Sequence, residues 1–159
     1  MKANIEIPDS NIQEIVKLLN RLLANEYVLF TKTWAAHWNV QGSNFIGMHE
    51  FLKEQYQSLE LVVDDTAERI RSLGHYAMGT LKDFLSITDM VEDSGNFASQ
   101  KQILQMLTND HETIIRIIRN EIAPIVEKNK DLGTADFITS IMEQHEKMAW
   151  MLRAHLSEN

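Results

Sequence analysis

The spacing of the apolar residues is the feature that most restricts the fold of this chain. Isoleucine, leucine and valine recur every three or four residues over long stretches, which is the period of one face of a helix. Only two prolines and six glycines interrupt the 159 residues, so the chain contains few positions that break a helix. The pattern predicts four long helices, which cover residues 11–38, residues 45–73, a stretch starting at 98, and residues 134–155.

Local signals mark where these helices begin and end. Asp9, Ser10 and Asn11 offer side-chain oxygens as N-caps for the first helix. Gly74 follows the second helix and is the expected C-cap. Pro124 lies inside the third helix, where we expect a kink or a local disturbance because proline has no backbone N–H to donate.

The connections between the helices predict how they are arranged. Residues 39–44 and 128–133 are short polar turns, whereas residues 74–97 are long and polar, with a short helix predicted at 81–85. Short, long and short connections indicate an all-α, ferritin-like four-helix bundle with a short extra helix in the crossover between helices two and three. No repeat or domain boundary is evident, so we predict a single domain with a short N-terminal extension at 1–10.

Composition narrows the possible classes of function. The chain has no cysteine, which excludes disulfides, thiolate metal sites and cysteine nucleophiles and is consistent with a reducing cytoplasm. No apolar run approaches the roughly 18 residues of a membrane span, and the N-terminus does not resemble a signal peptide. A net charge of −8 disfavours nucleic acid as the default partner.

Two histidines and two carboxylates form a candidate metal-ligand set. His37 and His49 flank the first turn, and Asp64 and Glu68 follow one helical turn apart. Imidazole and carboxylate together suit iron, manganese or zinc. Asp64 lies 15 residues beyond His49, which is roughly 22 Å along one helix. One chain therefore cannot easily bring all four groups to one metal, whereas two chains with antiparallel second helices can.

A metal site inside each separate bundle is not expected from the sequence. Such di-iron sites use Glu-x-x-His pairs, and no histidine here has a glutamate three residues before it. The remaining histidines are predicted to be surface or helix-capping residues. These are His75, His111, His145 and His155.

Two segments of the chain carry a specific resemblance to a known protein family. The run HWNVQGSNFIGMHEFL from His37, followed by DDTAER from Asp64, resembles the Dps family of mini-ferritins, named for a DNA-binding protein from starved cells. The resemblance implies a hollow homo-dodecamer in the cytoplasm that acts as a ferroxidase. Such a cage oxidises Fe(II), commonly with hydrogen peroxide, and stores Fe(III) mineral as non-haem iron. It also implies that the ferroxidase centres lie at two-fold interfaces.

The resemblance assigns roles to individual residues. His37 and His49 correspond to the iron ligands of one subunit, and Asp64 and Glu68 to carboxylates of the neighbouring subunit, with Glu68 able to bridge two irons. Trp38 corresponds either to an electron donor near the oxidant or to a packing residue at the interface.

Lys53 is where the sequence departs from the family pattern. An aspartate often stands at this position, one turn after the second histidine. A lysine ammonium cannot bind iron and repels a nearby cation, although it could pair with Asp64 or Asp65 of the other subunit. The departure predicts that the second iron site is weak or filled only transiently.

Acidic residues near the start of the fourth helix are candidates for a pore. Asp136 corresponds to the family's three-fold pore, and Asp131 is a second candidate that lies nearby. Both could equally be ordinary helix N-terminal charges. The sequence also leaves two alternatives open: the protein could be a DNA-compacting nucleoid protein or a metal-free helical scaffold.

Overall fold

The computed structural model describes residues 3–92 and 99–156, and every regular element in that part of the chain is helical. This agrees with the all-α prediction. Ala98, where the third helix was predicted to begin, lies outside the described residues. The elements are α1 (Asp9–Asn39), α2 (Phe45–Ser72), α3 (Leu81–Ile87), α4 (Gln100–Ile117), a π-helical turn (Ile118–Ile122), α5 (Ala123–Lys128) and α6 (Leu132–Leu156).

The bundle forms because each long helix buries one apolar face. α1 packs mainly against α2, and α4 packs mainly against α6. The four buried faces include Leu19 of α1, Leu52 of α2, Leu107 of α4 and Ile141 of α6. Burying side chains of this kind is the main favourable contribution to the stability of the fold. In the described residues, no helix is long and apolar enough to cross a membrane.

The first helix begins differently from the prediction. Its N-cap is Pro8, and no side chain caps it. The Pro8 carbonyl instead accepts the backbone N–H groups of Asn11 and Ile12, at 2.9 and 3.1 Å. Asp9 lies in the first turn, where its carboxylate still favours the positive end of the helix dipole.

Gly74 closes α2 as expected. Leu73 takes the C-cap position, and Gly74 follows it with a φ of 86°, a conformation that glycine adopts at little cost. The Gly74 backbone N–H donates to the carbonyl of Arg71 at 2.9 Å. The α2 helix therefore ends within one residue of the position predicted from the sequence.

The crossover is tied to α1 by polar and aromatic contacts. The ring of Phe84 in α3 stacks on Tyr27, with centroids 4.7 Å apart. Beyond α3, the Asp89 carboxylate accepts two hydrogen bonds from Arg21 and one from Asn25. The Arg21 guanidinium is the main reason that the pKa of Asp89 is lowered.

The disturbance predicted at Pro124 takes the form of a π-helical turn. Residues Ile118–Ile122 form this turn immediately before α5. Pro124 lies at the start of α5, where its missing N–H removes a hydrogen bond that a continuous helix would need. The widened turn accommodates the proline, so that the third long helix continues in two parts.

The start of α6 shows what Asp131 does. Its carboxylate accepts from the Thr134 N–H at 3.0 Å and from the Thr134 hydroxyl at 2.6 Å. It also pairs with Arg69 of α2 at 3.0 Å. The helix begins at Leu132, earlier than predicted, because this buried N-cap stabilises its first turn.

Candidate metal centre

The turn between α1 and α2 brings His37 and His49 into contact. Their ring centroids are 3.7 Å apart and the ring planes are inclined by 25°. The Nδ1 atom of His37 lies 2.8 Å from the backbone oxygen of His49, and the Nδ1 atom of His49 lies 2.9 Å from the backbone oxygen of His37. The two residues thus hold each other through reciprocal hydrogen bonds.

This reciprocity fixes the chemistry of both imidazoles. A carbonyl oxygen only accepts, so each Nδ1 must carry the proton and donate it. In the neutral ring, Nε2 is the nitrogen that carries the lone pair, and this is the form that binds a metal ion. His37 lies near the C-terminus of α1, where the last carbonyls have no partner within the helix. The second histidine satisfies one of those carbonyls.

Aromatic rings surround the histidine pair. Tyr56 meets His37 edge-on with centroids 5.2 Å apart, and Phe45 lies 5.1 Å from His49. Trp34 contacts both Tyr56 and Trp38, at 5.9 and 4.7 Å. These apolar faces restrict water around His37, which is itself buried. The neighbourhood therefore favours a metal–imidazole bond that is not displaced by solvent.

Tyr56 was missed in the sequence analysis. It lies seven residues after His49, which places both on one face of α2 two turns apart. That seven-residue spacing could have identified Tyr56 from the sequence as a neighbour of the histidine pair. Trp38 lies beside His37 in sequence, and 59% of its surface is exposed in the single chain.

The two predicted carboxylates lie on the same helix as His49 but apart from the histidine pair. Asp64 and Glu68 are exposed on the later half of α2. Asp64 lines a cleft of about 610 Å³ together with Tyr27, Leu61 and Phe84. Within residues 3–92 and 99–156, no three His, Asp or Glu side chains converge as a metal site. One chain therefore presents two adjacent imidazoles and, separately, two exposed carboxylates.

The other predicted residues occupy different surroundings. Lys53 is half-exposed, with its Nζ atom 3.7 Å from the Glu50 carboxylate. Asp65 and Asp136 are exposed, whereas Asp131 is 3% exposed and serves as the α6 N-cap. Of the two pore candidates, only Asp136 presents its carboxylate to solvent in the single chain.

The prediction for two of the remaining histidines was wrong. His111 and His145 are neither surface nor capping residues, because both are fully buried in the bundle. Their Nδ1 atoms lie 2.8 Å apart, and the Nε2 atom of His145 lies 2.9 Å from the Glu26 carboxylate. Helical periodicity did not reveal this cluster, since isolated polar residues on an apolar face have no pattern of their own.

Comparisons with known proteins agree with this architecture. A model of the ferritin-like domain family matches residues 16–158. An uncharacterised low temperature-induced protein of Nostoc sp. is 38% identical over 155 residues, which cover 98% of this chain and 87% of the relative. The DNA protection during starvation protein of Helicobacter pylori is 31% identical over 141 residues, covering 89% of this chain and 97% of that protein.

Solved structures show the same similarity. A Dps protein from Vibrio cholerae, described as one of the ferritin-like diiron-carboxylate proteins, superposes with a TM-score of 0.92 at 28% identity, covering 98% of this chain and 97% of the other. A Dps protein from Bacillus brevis gives a TM-score of 0.89 at 32% identity, covering 95% and 100%. The fold and the family match define a ferritin-like helical protein. Within that class, the chain belongs to the Dps family.

Proposed function

We propose that this protein oxidises Fe(II), with hydrogen peroxide as the preferred oxidant, and stores the Fe(III) product inside a homo-dodecameric cage. The observation that supports this most strongly is the histidine pair, whose Nδ1 atoms are used by backbone carbonyls, so that Nε2 is the nitrogen of each ring that can bind a metal. Family membership adds support, because the Vibrio cholerae structure is described as a diiron-carboxylate protein. The cytoplasm is the compartment we propose, since its reducing conditions sustain ferrous iron.

The site is proposed to be completed by a second copy of the chain. Asp64 and Glu68 lie far along α2 from His49, and α2 is an uninterrupted helix of 28 residues. An antiparallel pairing of two α2 helices would bring the carboxylates of one copy to the histidines of the other. The surface near Asp64 carries exposed Leu61 and Leu81, and exposed apolar side chains of this kind suit a protein interface.

The residues would divide the chemistry between them. His37 and His49 bind Fe(II) as neutral ligands, whereas Asp64 and Glu68 of the other copy neutralise its charge and favour the ferric product. Two Fe(II) ions, one H₂O₂ and two protons give two Fe(III) ions and two waters. Both electrons then come from iron, and no free radical is released. Trp38, beside His37, either packs at the interface or donates an electron when only one iron is present.

The main proposal is tested by combining two substitutions that remove one ligand from each half of the site. In the His37→Ala/Asp64→Ala variant, we expect Fe(II) oxidation by peroxide to fall by at least about tenfold, because a nitrogen and an oxygen ligand are lost. Anaerobic Fe(II) loading followed by stopped-flow oxidation measures this, with the oligomer mass checked in parallel. His75→Ala is the matched control. Equal rates in the wild type and the double variant, at equal mass, would contradict the proposal.

Lys53 is proposed to limit each site to one tightly bound iron. Its ammonium group lies one turn beyond His49 and is only partly neutralised by Glu50, at 3.7 Å. A cation bound nearby would be repelled by this charge. The Lys53 ammonium therefore puts a positive charge where a second iron would bind, and it offers that iron no ligand.

Replacing Lys53 by aspartate should raise the number of tightly bound ions. Isothermal titration with Fe(II) under anaerobic conditions should give one tight ion per site in the wild type and two in Lys53→Asp, since a repelling charge becomes a ligand. Lys53→Met removes the charge without adding a ligand, and we expect the second ion to bind more tightly than in the wild type but less tightly than in Lys53→Asp. Two tight ions in the wild type would refute the role given to Lys53.

Asp136 is proposed to line the route by which iron enters the cage. It is exposed near the start of α6, and a ring of such carboxylates around a three-fold axis would attract cations. Asp131 is not assigned this role, because its carboxylate is buried and used by Thr134 and Arg69.

For Asp136→Asn, we expect iron uptake into the cage to slow by several-fold while the protein remains assembled. The physical reason is the lost negative potential at the pore, an effect that should weaken as salt is added. Uptake kinetics at low and high ionic strength measure it, with Glu143→Gln as a control on the same helix. Unchanged uptake at low salt would exclude Asp136 from the pore.

A further inference from the structure

A chain of three buried polar side chains crosses the centre of the bundle. Glu26 belongs to α1, His145 to α6 and His111 to α4, and each is 0% exposed. The Glu26 carboxylate lies 2.9 Å from Nε2 of His145, whose Nδ1 lies 2.8 Å from Nδ1 of His111. The proposed iron chemistry uses none of these groups, so their burial needs a separate explanation.

The geometry limits how many protons the chain can hold. A hydrogen bond between two imidazole nitrogens requires one donor and one acceptor, so only one of the two Nδ1 atoms carries a proton. With Glu26 ionised, Nε2 of His145 donates to it, because a carboxylate accepts. A lone carboxylate in an apolar core is costly. The favoured arrangement therefore pairs an ionised Glu26 with a protonated His145, and leaves His111 neutral as the acceptor.

A further proton has no stable place in this arrangement. If it bound to Nδ1 of His111, two cationic rings would face each other and the bond between them would be lost. If it bound to Glu26, the ion pair with His145 would be lost. The second carboxylate oxygen of Glu26 and Nε2 of His111 have no hydrogen-bond partner in the described structure, so neither offers compensation.

The charged neighbours of His111 are already engaged. Asp110 pairs with Lys32 of α1 at 2.6 Å, and Glu112 pairs with Arg153 of α6 at 2.6 Å. On the buried side, His111 meets the cationic partner His145, beyond which lies Glu26. Burial and then the charge of His145 hold the pKa of His111 well below its ordinary value.

We propose that Glu26, His145 and His111 form a buried proton-binding site that holds α1, α6 and α4 together at neutral pH and loosens the bundle on acidification. The ligand of this site is the proton itself. The site stands independently of the iron centre and would act even in a cage that contained no metal.

The direction of the effect follows from proton linkage. A histidine whose pKa is lowered in the folded state binds a proton only after unfolding, once the pH falls below the unfolded value of about 6.5. In that range His111 carries more protons in the unfolded chain than in the fold, so the contribution of this residue makes acid favour unfolding. The effect begins near pH 6.5 and grows until the pH reaches the lowered pKa of the folded protein.

The first test compares the pH dependence of unfolding in the wild type and in His111→Leu. At a fixed protein concentration, urea titrations from about pH 7.5 to about pH 5 give the unfolding constant, and one linked proton changes it by about tenfold per pH unit. We expect the wild type to be steeper than His111→Leu by up to this amount. The exposed His155→Leu is the matched control and should follow the wild type. Equal slopes in all three proteins would overturn the proposal.

The second test uses the wild type alone and so does not depend on whether a variant folds. Nitrogen-15 chemical shifts of the histidine rings distinguish protonated from unprotonated nitrogen. At neutral pH we expect both nitrogens of one buried ring to be protonated, and only one nitrogen of the other. If both buried rings titrate as ordinary, independent histidines near pH 6.5, the proposal is wrong.

Discussion

The uninterrupted length of α2 is the constraint on which the proposed metal site depends. The helix runs without interruption over 28 residues, and each residue advances it by about 1.5 Å. His49 lies near its start, whereas Asp64 and Glu68 lie in its second half, so the helix keeps His49 roughly 22 to 28 Å from the two carboxylates. The proposed ligand set therefore requires a second copy of the chain. The proposal links assembly to metal chemistry for this geometrical reason.

Reciprocal hydrogen bonding complements this constraint at the histidine end. Each imidazole is oriented by the backbone carbonyl of the other residue, which couples the end of α1 to the start of α2. The same bonds determine which ring nitrogen is protonated, and therefore which one is available to a metal. A turn that serves the fold thereby also orients the two imidazoles of the proposed site within a single chain.

Much of the fold could be predicted because its signals are local. The apolar period located the long helices, and Gly74 marked the end of α2 within one residue. The start of α1 was mispredicted because the Pro8 carbonyl, rather than a neighbouring side chain, satisfies the first N–H groups. Pro124 correctly indicated a disturbance, although the π-helical form it takes depends on packing.

The candidate site was harder to predict where it depends on long-range contacts. His37 and His49 could be paired from the sequence because only a short turn separates their helices. Glu26, His111 and His145 come from three helices, and only the assembled bundle brings them together. Asp131 was a pore candidate because of its position near the start of the fourth helix. In the fold, its carboxylate caps that helix instead.

A site shared by histidines and carboxylates from different copies of the chain is tested most directly by complementation. His37→Ala and Asp64→Ala subunits, each inactive alone, would be co-expressed with different tags and the mixed assemblies purified. A shared site predicts that mixing restores Fe(II) oxidation, at roughly a quarter of the wild-type number of sites for random pairing. One site in each mixed pair would then have all its ligands. If mass measurements confirm mixed assemblies and oxidation is still absent, the shared site is contradicted.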